Sequence, residues 1–469
     1  MTTITVTHGK ISEKLSTLLL FGASFTALLF GCNSEDLKSH QFQTAPGNAL
    51  TQLSFDPYAN PDGQHETAME TNIASHGNTL VAGYHIARLE TGGVTNIGWA
   101  VSNDAGATWQ RGALPNTTTY AGGSIGEVTD PVVAYDAKHS NWILSYSGGG
   151  GGQNAIYVSL SSDDGKTFGN PITVASGPEP DKNWTACDNF PQSPHYGTCY
   201  TQYNDNISGV IYMTRSTDGG KTWEASKTTA DQLQGIAGQP IVMPTGRVIV
   251  PISNTDFSQF YVFYSDDGGT TWSGSQRIAT PQTAPARASL RQDPNPSVTI
   301  DASGKLYLTW FDCRFETQCT ANGLVLSTST DGITWSAPTR INTFPVSASL
   351  NHIFPGIAAD PSYNSNGNGK LGLVFYTVSA GACLTDENAC QIDTYYTSSI
   401  DSGNTWTAPT HLAGPMQPQW ISTTARGRLI GDYTGMTFLN GVAFPTFSVA
   451  LQPTTLPYRQ GVYTFPILP

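Results

Sequence analysis

The sequence predicts an all-β chain folded as a β-propeller of four-stranded blades, and three observations predict it. A short turn motif returns six times, a pair of apolar strands returns seven times, and the composition is poor in charge and rich in turn residues. The motif reads Ser102-x-Asp104-x-Gly106-x-Thr108-Trp109, Ser161-x-Asp163-x-Gly165-x-Thr167-Phe168 and Ser216-x-Asp218-x-Gly220-x-Thr222-Trp223. It continues as Ser265-x-Asp267-x-Gly269-x-Thr271-Trp272, as a copy one residue shorter at Ser329-x-Asp331-Gly332-x-Thr334-Trp335, and as Ser399-x-Asp401-x-Gly403-x-Thr405-Trp406. Successive serines lie 59, 55, 49, 64 and 70 residues apart, a period that repeat architectures share. Asp accepts hydrogen bonds from its own turn, Gly supplies positive φ, and the aromatic residue folds back onto the blade, so each copy reads as a hairpin turn.

Before each motif stands a strand, a turn and a second strand. These units begin near Glu66, Asp130, Trp184, Gln239, Pro296, Phe354 and Asp432, which makes seven pairs against six motifs. After the seventh pair only one strand-like run remains, at 460–468, and residues 48–55 alternate well enough to supply the missing fourth strand. Joining both termini in one sheet removes the free edges of an open ring. The count favours seven blades, with six as the alternative.

Only 12% of the 469 residues are charged, 48 are Gly and 29 are Pro, and no long amphipathic helical pattern interrupts the strands. Length alone would suggest about three domains, but the blades of a propeller share one ring, so residues 48–469 read as a single domain. A formal net charge of -13 argues against an extended nucleic-acid surface.

Lys10 and Lys14 precede seventeen uncharged residues at 15–31 and then Cys32, the pattern of an export signal. Leu29-Phe30-Gly31-Cys32 resembles a bacterial lipobox. That resemblance implies cleavage of residues 1–31, lipidation of Cys32, a polar tether to residue 47, and a lipid-anchored place at the outer membrane or cell surface. Contact with the membrane would be through the lipid only. Six cysteines remain, and in an exported chain an even number suggests disulfides. Proximity favours Cys187 with Cys199, Cys313 with Cys319 and Cys383 with Cys390 among fifteen pairings. No CxxC or HxxxH spacing supports zinc, no cofactor is expected, and no motif indicates a structural Ca²⁺.

The repeated turns resemble the Asp-boxes, or BNR repeats, of the sialidase superfamily, over nearly the whole mature chain. The resemblance implies that the boxes lie on the face opposite the active site, so Asp104, Asp163, Asp218, Asp267, Asp331 and Asp401 are structural. The opposite face then collects first-strand starts and the loops between second and third strands. First-strand starts offer Glu66, Asp130, Asp188, Asp293, His352, Asp432 and Tyr433. The loops offer His85, Arg88 and Glu90, the glycine run 148–152, and Asp312-Cys313-Arg314. The glycines could admit a polymer to the backbone or form a flexible loop. Asp312 and Arg314 could bind a sugar or brace their own loop.

The sialidase catalytic set transfers only in part. Where that family opens on an arginine motif, this chain reads His65-Glu66-Thr67-Ala68, and the fourth unit offers Gln239 and Asn254 in place of an assisting glutamate and a later arginine. Arg88 and Tyr433 match family positions, with Asp432 beside the tyrosine and Arg428 shortly before it. The first expectation is therefore a glycoside hydrolase with an altered set, using Glu66 with Asp130 or Asp432 and Tyr433 as an alternative nucleophile. Arg88, Asp312, Arg314, His352 and Arg428 would bind the substrate. The alternatives are a non-catalytic propeller that binds glycan or protein, and a uronate lyase with His352 or Tyr433 as base. The partner expected is a glycan, and the chain is expected to act as a monomer.

Overall fold

A computed structural model describes residues 49–468 except 91, 151, 348, 380–382 and 384–385. The export signal, Cys32 and the tether lie outside the described residues. The described part is all β, a propeller built on four-stranded antiparallel sheets, with only isolated single turns of 3-10 helix.

Each sheet follows one recipe. Its two middle strands are buried almost throughout, as in Leu306–Asp312 and Gly323–Ser329, because neighbouring sheets cover both of their faces. Its outer strand is short and polar, as in Gln110–Ala113 and Lys227–Thr228, which limits the exposed edge. Apolar clusters fill the gaps between sheets, such as Tyr200, Met213, Val248, Val250 and Phe263 between the third and fourth units.

The six Asp-boxes join third to fourth strands, and the box serine is the last residue of the third strand in every copy. In the third box, Asp218 accepts from the Ser216 hydroxyl at 2.8 Å, the Thr222 amide at 3.0 Å and the Thr222 hydroxyl at 2.6 Å. The box glycines pack on the preceding unit. A Cβ on Gly165 would meet Val81 at 2.6 Å, one on Gly332 would meet Ile249 at 2.2 Å, and one on Gly403 would meet Leu326 at 2.4 Å. The first box reaches the C-terminal sheet, where a Cβ on Gly106 would lie 2.4 Å from Phe444.

That sheet is completed as the sequence suggested. Gly435–Leu439, Val442–Ala450 and Gln460–Thr464 take Thr51–Gln52 as their fourth strand, with Thr51 opposite Thr464. The expectation of seven separate four-stranded sheets needs correction. Among the described residues five stand alone, and the strands from Asn72–His76 to Ile172–Ser176 run together in a sheet of nine. The merger arises because the third strand of the first unit, Val94–Ser102, extends far enough for Val94 to pair with Val128, while Gly63–Gln64 adds a strand along Arg88 and Leu89. All three predicted disulfides are present: Cys187–Cys199, Cys313–Cys319 and Cys383–Cys390.

The first strands share an irregularity that positions the site. Register shifts occur between Thr129 and Val132, between Asp181 and Trp184, and between Ile353 and Gly356. Within those intervals Asp130 (φ 55), Lys182 (φ 48) and Phe354 (φ 49) take left-handed backbone, as does Glu70 (φ 46) just before Asn72–His76. A bulge turns its side chain away from the regular alternation of the strand. In the second and third units the residue so turned is charged, and in the first unit the charged Glu70 takes the same left-handed backbone just ahead of a regular strand.

Candidate functional site

Glu70, Asp130 and Lys182 converge, and they do so at the starts of first strands. Strand direction alternates across a blade, so these starts lie at the opposite end of the sheet from the boxes. The Lys182 ammonium lies 2.7 Å from Asp130 Oδ1, 2.7 Å from Asp432 Oδ2 and 4.0 Å from Glu70 Oε1. Arg291 donates to the same Asp432 oxygen. A cavity of about 380 Å³ opens over the group, lined also by Arg88, Glu127, Asp181 and the backbone at Gly148, Gly149 and Gly150.

The protonation states of the cluster divide its carboxyls. Burial would raise Asp130 and Asp432, but the Lys182 ammonium overrides it, with Arg291 helping at Asp432, and both carboxyls are held below the usual range. Burial lowers Lys182 less than Asp130, Asp432 and Glu70 raise it, so the ammonium stays charged. Glu70 is pushed up to about 8, chiefly by burial, and Asp181 to about 6 by burial and by the Asp130 charge beside it. Asp181 and Asp130 share a hydrogen bond, and Asp181 also accepts from Asn206 Nδ2 at 3.0 Å. Two carboxylates held ionised thus stand beside two of raised proton affinity, of which Glu70 keeps its proton at neutral pH and Asp181 keeps it only in mild acid.

The residues around the cluster fix this arrangement. Burial drops His85 to about 3, so its ring is neutral, and Nε2 accepts the Asp130 amide at 3.0 Å. Glu70 Oε2 lies 3.3 Å from the same nitrogen. Tyr433 donates its hydroxyl to the Pro131 carbonyl at 3.2 Å and meets Trp184 edge-on at 5.4 Å between ring centroids. Burial and then the charges of Glu70, Asp130 and Asp432 hold its phenol far above the ordinary value. Arg88 is buried, and its Nε makes no hydrogen bond within the protein. The hairpin of Thr423–Thr424 and Gly427–Arg428 docks beside the loop carrying Arg291: Arg428 N–H donates to Ser289 O at 2.8 Å and Arg291 N–H to Arg428 O at 2.9 Å.

Of the residues expected from sequence, Asp130, Asp432, Tyr433 and Arg88 are brought together. Glu66 is not. It is exposed, lines a separate cavity of about 220 Å³ with Asp56 and Arg459, and leaves the central position to Glu70. Asp312 accepts from Trp310 Nε1, the Gln282 amide and Arg314 Nε, so the Asp312 and Arg314 pair braces its loop. His352 has Nδ1 on the Asn322 carbonyl at 2.9 Å and Nε2 on Thr343 at 3.2 Å, with burial holding it to about 4, which makes it a neutral structural ring and removes the base of one lyase route. The Arg428 guanidinium reaches Ile421 O and Glu387 rather than the cavity, and Asp188 accepts from Ser193 and Phe190 at the far end of its strand. Sequence reasoning missed Glu70, Asp181, Lys182 and Arg291. It began the first unit four residues before Glu70, at Glu66, and the third about four residues late, whereas the third unit's first strand is Pro180–Cys187 and carries Asp181 and Lys182 at its start.

Among the described residues no group of His, Cys, Asp and Glu is arranged to hold a metal ion. Residues 194–354 match the model of a BNR repeat-like domain. A sialidase of Bacteroides fragilis (strain YCH46) is 27% identical over 194 residues, which is 38% of this chain and 28% of that protein. The match therefore spans little more than a quarter of that relative. Among solved structures, the NanB sialidase from Streptococcus pneumoniae is similar at 14% identity and a TM-score of 0.46, covering 90% of this chain and 71% of its own. The intramolecular trans-sialidase from Ruminococcus gnavus is similar at 13% identity and a TM-score of 0.44, covering 87% and 95%. An α-L-arabinofuranosidase from Fusarium graminearum is similar at 16% and 0.39, covering 62% and 93%.

Proposed function

We propose that this chain, which carries a BNR repeat-like domain and has a sialidase homologue, is a glycoside hydrolase working from the cavity over Lys182. The observation that carries the reading is the split of four neighbouring carboxyls into two of raised and two of lowered proton affinity, with Glu70, Asp130 and Asp181 lining one cavity and Asp432 on the same lysine. Groups whose proton affinities are pushed apart in this way can serve as acid and base in the same reaction. Asp181, half-buried and protonated below about 6, is the general acid for the departing oxygen. Tyr433 is the nucleophile, with Glu70 as its base: a carboxyl raised to about 8 has the affinity to take a phenolic proton when ionised. Arg88 and Arg291 orient the substrate, while Asp130, Asp432 and Lys182 hold the frame.

Purified protein is to be screened against sialosides, neutral glycosides and uronic polysaccharides. Asp181→Asn should lower kcat by about 10²- to 10⁴-fold, the usual contribution of a general acid, and Tyr433→Phe should abolish turnover. With an acid near 6 that must hold its proton and a base near 8 that must have lost one, the productive form is most populated between the two, so kcat/KM should rise as pH rises toward about 6 and fall above about 8, and the fall should vanish in Asp181→Asn. An unchanged pH profile in that variant would remove Asp181 from the role. The second reading, a non-catalytic glycan-binding propeller, is favoured by the acid at Glu66 and by Gln239 where sialidases carry functional residues. Saturable binding with no turnover on any substrate class would decide for it.

Two further statements belong to the same proposal. The sheet of nine counts as two fused blades, which gives a ring of seven; the packing of each box glycine on the preceding unit supports the count. The protein is exported and anchored at the cell envelope through Cys32, a reading supported by the sequence at 10–32.

A further inference from the structure

We propose that the cavity over Lys182 is the closed end of a longer track, which runs over the boundary between the second and third units and takes a neutral glycan chain. The proposal rests on the glycan reading above. Residues 176–180 form a wall shared by three cavities, of about 380, 410 and 430 Å³. The first and second share Asn154, the second and third share Ser176, Gly177 and Pro178, and the third returns to the first at Pro180. The ridge between them is braced on both sides. Asn154 Nδ2 donates to Pro178 O at 2.6 Å and its Oδ1 accepts the Gly150 amide at 3.3 Å. From the other side, Glu179 N–H donates to Asp205 Oδ1 at 3.1 Å and Asn206 N–H to Glu179 O at 2.9 Å. The track is therefore preformed, and its bracing residue Asn206 also holds the acid Asp181.

The chemistry of the far cavity names the ligand class. Tyr203 and Tyr212 stack at 5.4 Å and 17° beside Trp223, and the Tyr212 and Trp223 rings are half-buried. An aromatic face beside carboxylate and hydroxyl groups receives the C–H face and the hydroxyls of a pyranose. Asp205 and Glu224 line this cavity, and among the described residues neither outer cavity is lined by Lys or Arg, so a uronate or sialylated chain would meet only like charge.

The test is calorimetric binding of cellohexaose, xylohexaose, maltohexaose and hexagalacturonate, with the matching monosaccharides, to full-length Asp181→Asn protein in which turnover is slowed. At least one neutral hexaose should bind, more tightly than its monosaccharide and more tightly than hexagalacturonate. Tyr212→Ala and Ala225→Trp should each weaken that hexaose by about tenfold or more, roughly the loss of one good contact, and leave the monosaccharide unchanged. Ala225 is exposed on the rim, so its replacement fills the track without disturbing the core. The track is refuted if no neutral hexaose binds, if hexagalacturonate binds as well, or if long and short ligands weaken equally. Chain binding lost in Ala225→Trp by a protein that hydrolyses nothing would retain the track and reject the enzyme. Hydrolysis that is indifferent to both variants on long and short substrates would do the reverse.

Discussion

Lys182 is one cation held by two ionised carboxylates 2.7 Å away, with a third carboxyl at 4.0 Å. Such a centre is costly to bury and more costly to break. Lys182→Met keeps the length of the side chain but strands Asp130 and Asp432, and it should destabilise the fold by about 3–5 kcal/mol, the usual penalty for removing one partner of a buried pair. Urea denaturation at neutral pH measures the loss. The sign with pH follows from the carboxylates. Their native affinities lie below the unfolded value, so their stabilisation is present above the ordinary carboxylate range and fades as pH falls through and below it. The difference between wild type and Lys182→Met should therefore shrink in acid, and a constant difference down to the acid limb would reject this account of the cluster. At this scale the sequence offered identity without address. Asp130, Asp432 and Tyr433 could be named from their place at first-strand starts, whereas Lys182 and Asp181 were hidden by a unit boundary set too late.

The elements that carry these residues are first strands with a bulge, and the elements that lock the ring are the Asp-box turns. Gly332 shows why the turn demands glycine: φ is 78°, and an added Cβ would stand 2.2 Å from Ile249 of the preceding unit. Gly332→Ala combines left-handed strain of about 1–2 kcal/mol with overpacking of about 1–3 kcal/mol, so a loss of about 2–5 kcal/mol is expected in chemical denaturation. A loss below half a kcal/mol would mean the turn does not bear on its neighbour. The boxes were legible because their bonds are local: an Asp, its Ser two residues before and its Thr four residues after close on themselves. The bulges were not legible. Asp130 and Lys182 take left-handed backbone because strand pairing on either side holds them there, and no local residue preference calls for it.

For the whole molecule, the question is how the ring is closed. Leu53 is fully buried and its amide donates to Val462 O at 2.8 Å, next to the pairs Thr51 with Thr464 and Gln52 with Tyr463. A chain beginning at residue 56 loses that strand and leaves Gln460–Thr464 as an open edge. It should lose roughly 3–5 kcal/mol, from one buried leucine and a few hydrogen bonds, and should aggregate with concentration through the exposed edge. Calorimetric melting and light scattering check both. An unchanged melting temperature would mean that the closure is ornamental.

The sequence by itself determined the repeat and the turn chemistry, and it favoured the strand order, the three disulfide pairings and the joining of the two termini that the structure shows. Each of these depends on residues close together in the chain or on a count of periods. Only the tertiary structure decided that two units merge into one sheet, that Glu70 and not Glu66 faces the centre, and that Asp312, Arg314 and His352 are spent on bracing. It also brought Arg88, Asp130, Lys182 and Arg291, which come from distant parts of the chain, to one cavity, with Asp432 paired to Lys182 and Arg291 behind it. The physical reason is that a ring sets its centre by closure. Which charges meet there depends on where each bulge turns a side chain and on which residues the neighbouring units bring opposite it, and neither is written in local sequence.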